Sequence, residues 1–186
     1  VRGGADDAPE SGPPDDDRLA SQLGTVALLH GRIECVHIDM NDFSHLTTPA
    51  LLVDRAIVAR NCDRMREKAV ASGVIFRPHA KTHKTVEIAR MQHGGAIGPM
   101  TVSTLAEAEQ LAGAGFRDIT YAVPIAPEKL ERAAKLAAGL EHLNILIDSF
   151  DALQAVESFA RAHGVAFDVF LKVDCGYHRA GVDPDR

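Results

Sequence analysis

The stretch VIFRPHAKTHKT, residues 74–85, joins an apolar run to a dense cluster of basic side chains. The apolar residues at 74–76 predict a short buried strand. Five basic residues follow within eight positions: Arg77, His79, Lys81, His83 and Lys84. Because like charges this close repel one another, either water solvates them or an anionic group lies among them.

Similar apolar runs recur along the chain, and a helical segment follows each of them except the last. The runs lie at 74–78, 97–103, 118–123, 143–148 and 167–174. Their starts are 21 to 25 residues apart, which is the length of a compact βα unit. Consecutive βα units build parallel sheets with right-handed connections, so the sequence predicts an α/β fold.

Helix boundary signals agree with this spacing. Thr104 and Glu107 have the spacing of a capping box, in which the hydroxyl and the carboxylate satisfy free amides reciprocally. Pro127 suits the first turn of the next helix, and Ser149 suits the N-cap of the one after. Upstream, apolar positions at helical spacing predict a helix from Asp54 to Ser72, directly after the extended run ALLVD.

Two architectures fit such a chain, an open doubly wound sheet and a (β/α)₈ barrel. The turn after the first predicted strand contains neither G-x-G-x-x-G nor G-x-x-x-x-G-K-[ST]. The usual nucleotide-binding signature of an open sheet is therefore missing.

Composition narrows the class of protein further. The chain has 186 residues and a formal charge of −6, of which residues 1–20 contribute −4 through six acidic and two basic side chains. The nearly neutral remainder predicts neither nucleic acid nor a membrane as a partner. Cys35, Cys62 and Cys175 are odd in number and widely spaced, which indicates reduced thiols and a cytoplasmic protein.

The same features divide the chain into three parts. Residues 1–22 are acidic and rich in proline and glycine, and predict a disordered tail. We assign 23–47 to an N-terminal extension and 48–186 to a partial barrel domain of about five βα units. A stretch at His37 and Asp39, with Cys35 nearby, resembles a metal-binding pair, but alternating polar residues favour a plain β-strand there.

The basic cluster lies where an α/β protein places its active site, at the carboxyl end of a strand. If the strand continues through Lys81, alternation puts Arg77, His79 and Lys81 on one face. Neighbouring cations and a helix N-terminus would lower the pKa of Lys81 toward a free amine, which can form Schiff bases. A solvated loop or an anion-binding patch is the alternative, and Lys84 fits a surface charge one turn into the helix.

The last strand raises a second question about buried charge. Alternation in VFLKVDCGYHRAGV puts Lys172 and Asp174 on a face that should be apolar, so they either pair or line a site. Gly176 and Gly181 bracket Arg179 in a turn, where its guanidinium could hold an anionic or phenolic oxygen. A surface ion pair is the alternative for Arg179.

Four motifs carry a resemblance to a known family: TPALLVD at 48–54, RPHAKTHK at 77–84, the helix start at 107–109 and VDCGYHRAGV at 173–182. Together they resemble the N-terminal barrel domain of fold-type III pyridoxal-phosphate enzymes. Within that group the chain is most similar to the D-threonine aldolase and D-serine dehydratase branch, which is related to alanine racemase. The resemblance covers about residues 45–186.

The resemblance implies a (β/α)₈ barrel of the alanine racemase N-terminal type that binds pyridoxal 5'-phosphate. It implies that Lys81 holds the cofactor as an aldimine, that Arg179 binds its phenolic oxygen and that His79 lines the pocket. The implied activity is a lyase acting on small D-3-hydroxy amino acids, by aldol cleavage or dehydration. We further expect the full-length protein to be a homodimer.

Two alternatives to this activity stay open. An amino-acid racemase on the same fold is one, and an inactive truncated fragment that binds the cofactor is another. The resemblance implies a divalent metal in the full-length protein, held beyond residue 186, and we assign no metal ligand within the chain. Ser103 and Thr104 stand where D-threonine aldolases often have a Gln-Lys pair, which leaves the reaction open.

Overall fold

A computed structural model describes residues 23–29, 32–38, 44 and 50–184. The predicted disordered tail at 1–22 lies outside these residues, as does Asp39 of the metal-like stretch. The chain divides into two compact units, one ending at Ile57 and the other beginning at Val58. The first unit contains an antiparallel sheet in the order β2-β1-β3, built from β1 (Leu23–Leu29), β2 (Arg32–Ile38) and β3 (Ala50–Asp54).

Helix α1 (Arg55–Ala71) follows β3 directly, as the apolar spacing predicted. The carboxylate of Asp54 accepts a hydrogen bond from the Ile57 amide at 2.9 Å and satisfies one of the free amides of the first turn.

The second unit contains a four-stranded parallel sheet in the order β4-β5-β6-β7. The strands are β4 (Met100–Val102), β5 (Asp118–Pro124), β6 (His142–Ile147) and β7 (Asp168–Leu171). Between them run α3 (Leu105–Gly113), α4 (Leu130–Ala137) and α5 (Phe150–His163), and α2 (Val86–Gln92) precedes β4. The α/β class predicted from the spacing is confirmed.

The predicted helix caps are present. The hydroxyl of Ser149 accepts from the Ala152 amide at 3.2 Å, and Pro127 lies in a short 3₁₀ turn directly before α4. At the other end of α5, Gly164 has a φ of +64° and caps the helix in the left-handed conformation that favours glycine.

The first predicted strand, at 74–78, is not a regular strand. Its end joins the sheet through a single parallel bridge between His79 and Thr101, and the Thr101 amide donates to the Pro78 carbonyl at 2.8 Å. Val74 and Ile75 are exposed, so the apolar run is not buried as its composition predicted. Proline at 78 lacks an amide hydrogen and cannot donate in a ladder, which limits pairing here.

The core lies between the parallel sheet and its helices. Its largest fully buried side chains are Tyr121, Phe116, Met100, Ile119, Leu130, Ile145 and Val102. On the opposite face of the sheet the register aligns Thr101, Thr120 and Asn144, and Asn144 Nδ2 donates to Thr120 Oγ1 at 3.2 Å. Within the described residues, every helix is too short or too polar to cross a membrane.

Candidate active site at the carboxyl ends of the strands

Lys81 lies in a one-turn 3₁₀ helix, Ala80–Thr82, directly after the bridge that joins His79 to the sheet. Its side chain is exposed, and Nζ makes no hydrogen bond or ion pair with the residues that the structure describes. Its backbone amide, by contrast, donates to Nδ1 of His79 at 3.2 Å. The turn therefore holds the main chain of Lys81 and leaves the amine available.

His79 is half-buried and uses both ring nitrogens. Because Nδ1 accepts from the Lys81 amide, Nε2 carries the hydrogen and donates to Ser103 Oγ at 3.4 Å. Burial lowers the pKa of His79, and the nearby charge of Lys81 lowers that pKa further. Both effects favour the neutral ring, which is the form that can accept from the turn.

Lys84 is a surface charge as predicted, with 48% of its side chain exposed, but it does not lie one turn into the helix. Helix α2 begins at Val86, with Thr85 as its N-cap, so Lys84 precedes the helix rather than lying one turn into it. Its φ is +55°, and its Nζ lies 3.4 Å from Oε1 of Glu107, which is buried. The contact with Glu107 on α3 joins residues that are far apart in the chain, so local spacing in the sequence does not predict it.

Glu107 helps to cap its own helix, but with one hydrogen bond shifted from the standard capping box. Its amide donates to Thr104 Oγ1 at 3.1 Å, as predicted for a capping box. Its carboxylate accepts from the Ser103 amide at 2.8 Å, one residue before the amide that a capping box predicts. The carboxylate thereby fixes Ser103, the partner of His79.

Arg77 does not join the lysine end of the cluster. Its guanidinium makes two hydrogen bonds to the carboxylate of Asp118, at 2.6 and 2.7 Å. Asp118 is the first residue of β5, so this pair ties the incoming segment to the amino end of the sheet. The predicted shared face of Arg77 and Lys81 is wrong, because the extended segment ends at His79 and the turn begins.

The last strand leads into a closed loop. The Asp174 amide donates to the Val182 carbonyl at 2.9 Å, and the Val182 amide donates to the Lys172 carbonyl at 2.8 Å. Asp174 Oδ1 accepts from the amides of Gly176 and His178, at 3.0 Å each. Asp174 therefore caps the turn, and the His178 and Gly176 amides lower its pKa.

Gly181 allows this loop to close. Its φ is +122°, and a Cβ there would lie 2.5 Å from the Asp174 nitrogen and 2.7 Å from the Val173 carbonyl carbon. Any other residue would collide with backbone that cannot move cheaply.

Arg179 lies on this loop, beside a cleft of about 310 Å³. The cleft is lined by Lys172, Val173, Asp174, Cys175, Tyr177, Arg179 and Ala180. The guanidinium carbon of Arg179 lies 5.1 Å from the centroid of the exposed Tyr177 ring. Lys172 and Asp174 both line the cleft, which fits the second of the two alternatives for these charges.

The structure brings some of the predicted site residues together and separates others. Lys81 and His79 are in contact, whereas Arg179 lies at the far edge of the sheet, beyond β4, β5 and β6. Four strand spacings correspond to about 19 Å along the sheet. In a closed barrel of eight strands the first and fifth strands face each other across the axis, so both loops can line one site.

Sequence reasoning missed the polar contacts that join Lys84, Glu107 and Ser103. The only sequence signal for these contacts was the capping-box spacing of Thr104 and Glu107. That spacing predicts a helix start and says nothing about Lys84. For metals, no group of three or more His, Cys, Asp or Glu within the described ranges could hold an ion.

Several known proteins are similar to this chain in sequence and in fold. D-serine dehydratase from Dictyostelium discoideum is 40% identical over 153 residues, covering 77% of this chain and 38% of that protein. Among solved structures, D-threo-3-hydroxyaspartate dehydratase from Delftia sp. HT23 matches with a TM-score of 0.70 and 42% identity, over 75% of this chain and 37% of that one.

A second solved structure, D-threonine aldolase from Filomicrobium marinum, matches with a TM-score of 0.66 and 32% identity, over 74% of this chain and 37% of that one. The chain thus spans somewhat more than a third of the length of these relatives. The family model "Alanine racemase, N-terminal domain" matches residues 53–186, which includes the whole parallel sheet and both candidate site loops. The chain therefore belongs to the alanine racemase N-terminal domain family.

Proposed function

We propose that the complete gene product is a pyridoxal-phosphate-dependent lyase of the D-threonine aldolase or D-serine dehydratase type. In this proposal Lys81 binds the cofactor, Arg179 binds its phenolic oxygen and His79 lines the pocket. The substrate is a small D-amino acid with a hydroxyl group on C3.

One observation carries the proposal. Lys81 presents an amine with no partner among the described residues, while its main chain is held by His79 at the carboxyl end of the sheet. A cofactor that has an aldehyde and a phenolic oxygen needs an amine to condense with and a cation or donor to face the oxygen. Lys81 and Arg179 supply those two groups, so the donor set fits pyridoxal 5'-phosphate.

When bound, pyridoxal phosphate supplies an electron sink for carbanion chemistry. Lys81 would hold the cofactor, and as a free amine its Nζ would accept a proton. Accepting the proton of the C3 hydroxyl would allow the Cα–Cβ bond to break. Accepting the proton of Cα would allow the C3 hydroxyl to leave as hydroxide, which takes up that proton to form water.

The names of the relatives support the substrate class. They are a D-serine dehydratase, a D-threo-3-hydroxyaspartate dehydratase and a D-threonine aldolase. Their named substrates share the D configuration and a hydroxyl on C3. The two reaction types differ in which proton Lys81 accepts. Ser103, whose hydroxyl contacts His79 beside the lysine turn, stands where D-threonine aldolases often have a different residue.

The test is covalent trapping on the complete gene product. We expect added pyridoxal 5'-phosphate, followed by borohydride, to leave a reduced pyridoxyl group on Lys81 in peptide mass spectra. Lys81→Ala should lose this label and all turnover of D-serine and D-threonine. Lys135→Ala, which removes an exposed lysine paired with Glu131 on α4, should retain both. A label that persists in Lys81→Ala would contradict the proposal.

Solvent exchange separates the lyase from a racemase. In deuterated water a racemase converts the D-substrate into its L-enantiomer with deuterium at Cα. The proposed lyase instead yields an aldehyde with glycine, or a keto acid with ammonia.

Three further properties complete the proposal. A divalent metal binds outside the described residues, and chelation with EDTA should lower turnover without preventing pyridoxyl labelling of Lys81.

The complete protein is a homodimer, which analytical ultracentrifugation measures. It is cytoplasmic, which the free thiols of Cys62 and Cys175 support and cell fractionation tests.

A further inference from the structure

Lys81 and Lys84 lie three residues apart, and either amine could in principle condense with an aldehyde. Their contacts in the structure differ. Lys81 has a bonded main chain and an unpartnered amine, whereas the amine of Lys84 lies 3.4 Å from Glu107 Oε1. The Lys84 amide also donates to the Ala80 carbonyl at 2.7 Å, so both lysines belong to one closed turn.

The carboxylate of Glu107 contacts both the Ser103 amide and the Lys84 amine. Its side chain is 8% exposed, and a buried carboxylate is unstable without a compensating cation or donors. Oε2 accepts from the Ser103 amide, while Oε1 receives no hydrogen bond from the described residues and faces the Lys84 ammonium. Lys84 therefore compensates a charge that would otherwise be buried alone.

From Glu107 the contacts continue to the other lysine. Ser103, held through its amide, places Oγ 3.4 Å from Nε2 of His79. The opposite nitrogen of His79 accepts from the Lys81 amide. One carboxylate on α3 is thus connected to the amine of Lys84 on one side and to the main chain of Lys81 on the other.

We propose that Glu107 is a positioning residue that selects Lys81, rather than Lys84, as the amine offered to the cofactor aldehyde. It holds Lys84 as an ion-paired ammonium group. Through Ser103 and His79 it holds the turn that presents Lys81. This inference rests on the proposed function for the identity of the aldehyde, but the selection between the two amines is a property of the protein itself.

Glu107→Gln is the informative variant, because glutamine can still accept from the Ser103 amide and complete the helix cap. It removes only the charge that holds Lys84. Glu109→Gln is the matched control, since Glu109 lies on the same helix and pairs with Arg132 on the surface.

The first readout needs no cofactor. The complete gene product is treated with limiting acetic anhydride, and acetylation of Lys81 and Lys84 is followed by peptide mass spectrometry. In Glu107→Gln we expect the acetylation of Lys84 to rise several-fold relative to that of Lys81. Glu109→Gln should match the unsubstituted protein. An unchanged ratio in Glu107→Gln would overturn the inference.

The second readout is the position of the pyridoxyl label after borohydride reduction. Borohydride adds hydride to the C=N bond that forms when the aldehyde condenses with an amine and releases water. In Glu107→Gln we expect label to appear on Lys84, whereas a purely structural defect would lower labelling of both lysines together. If the unsubstituted protein labels neither lysine, the proposed function fails, and the acetylation ratio still decides the role of Glu107.

A second variant keeps the test open if Glu107→Gln does not fold. Ser103→Ala keeps the backbone bond to Glu107 and removes the hydroxyl that meets His79. We expect less pyridoxyl label on Lys81 and unchanged acetylation of Lys84. Full labelling of Lys81 in Ser103→Ala would contradict the contact path through His79.

Discussion

At the scale of single residues, the basic side chains near the bridge between His79 and Thr101 differ in whether they pair with a carboxylate. Arg77 and Lys84 are paired with carboxylates, whereas Lys81 has no partner within the described part of the chain. The largely buried Arg77–Asp118 pair is expected to stabilise the fold, whereas Lys81 is the residue that we propose binds the cofactor. Two members of the basic cluster, Arg77 and Lys84, therefore have separate carboxylate partners in the structure.

Replacing Arg77 tests whether its ion pair with Asp118 stabilises the fold. Both side chains of the Arg77–Asp118 pair are only about a quarter exposed, at 27% and 25%. Arg77→Ala leaves Asp118 without its donors, and we expect the free energy of unfolding to fall by about 1–3 kcal/mol. Urea denaturation monitored by circular dichroism measures this change.

Two controls accompany that experiment. Arg132→Ala breaks the exposed pair with Glu109 and should cost less than about 1 kcal/mol. Arg77→Lys keeps the charge but cannot bond to both carboxylate oxygens, so it should fall in between. Equal losses for Arg77→Ala and Arg132→Ala would show that burial of the first pair is irrelevant.

Histidine burial predicts a dependence of stability on pH. Burial lowers the pKa of His79, His83 and His93 from an ordinary value of 6.5. The unfolded chain then binds protons that the folded chain does not, so stability is full above pH 6.5 and is lost as the pH falls through the lowered values. We expect the urea midpoint to be lower at pH 5.5 than at pH 7.5.

A variant identifies the source of this dependence. His93 lies between the rings of Phe76 and Phe116, at centroid distances of 5.9 and 6.4 Å. His93→Phe should shift the midpoint less between the two pH values than the unsubstituted protein does. A pH dependence equal to that of the unsubstituted protein would assign the effect to other groups.

At the scale of elements, local signals in the sequence predicted boundaries well and long-range contacts poorly. Ser149 and Thr104 cap the helices for which they were predicted, since a cap depends only on residues within one turn. The run at 74–76 was predicted as a buried strand because it is apolar, but burial depends on the elements packed against it. The same reason hid the Lys84–Glu107 pair, whose members are 23 positions apart in the sequence.

The site followed the same pattern. Lys81 was singled out by its position after the predicted strand, and His79 by the resemblance of RPHAKTHK to a family motif. The structure places the two residues in contact. Arg179 was singled out by its own motif, but its position at the far edge of the sheet follows from the topology rather than from its neighbours. Residues within one continuous motif could therefore be grouped from sequence, whereas contacts between distant segments could not. The roles of Lys81, His79 and Arg179 stay predictions.

The loop after β7 allows a test at this scale. Gly181→Ala places a Cβ against the Asp174 nitrogen at a φ of +122°, which an alanine rarely adopts. We expect the bridge between Val173 and Val182 to open and the amides of Asp174 and Val182 to exchange with deuterium at least about tenfold faster. Hydrogen exchange with mass spectrometry measures this.

Gly139 is the matched control for that substitution. A Cβ at Gly139 would lie 3.7 Å from the Leu136 carbonyl oxygen, which is an ordinary contact. Gly139→Ala should leave exchange in the β7 loop unchanged. Equal protection in both variants would show that the close approach at Gly181 does not hold the loop.

At the scale of the whole molecule, β7 is the least covered part of the parallel sheet. All four of its residues are exposed, and it pairs with β6 on one side, with no second neighbour among the described strands. Phe170 and Leu171 are 53% and 57% exposed, although both are large and apolar. An apolar strand with an unpaired edge is a template for pairing with another chain.

We therefore expect the 186-residue chain, expressed alone, to form oligomers or aggregates through this edge. Phe170→Lys places a charge on the exposed strand, which opposes edge pairing, and should shift the population toward monomer. Leu153→Lys, on an exposed position of α5, adds the same charge away from the strand and should leave association unchanged. Sedimentation velocity over a range of protein concentrations measures the three species. A monomer that melts cooperatively without substitution would show that β7 is stable uncovered, since hydrophobic association at this edge would otherwise dominate at high concentration.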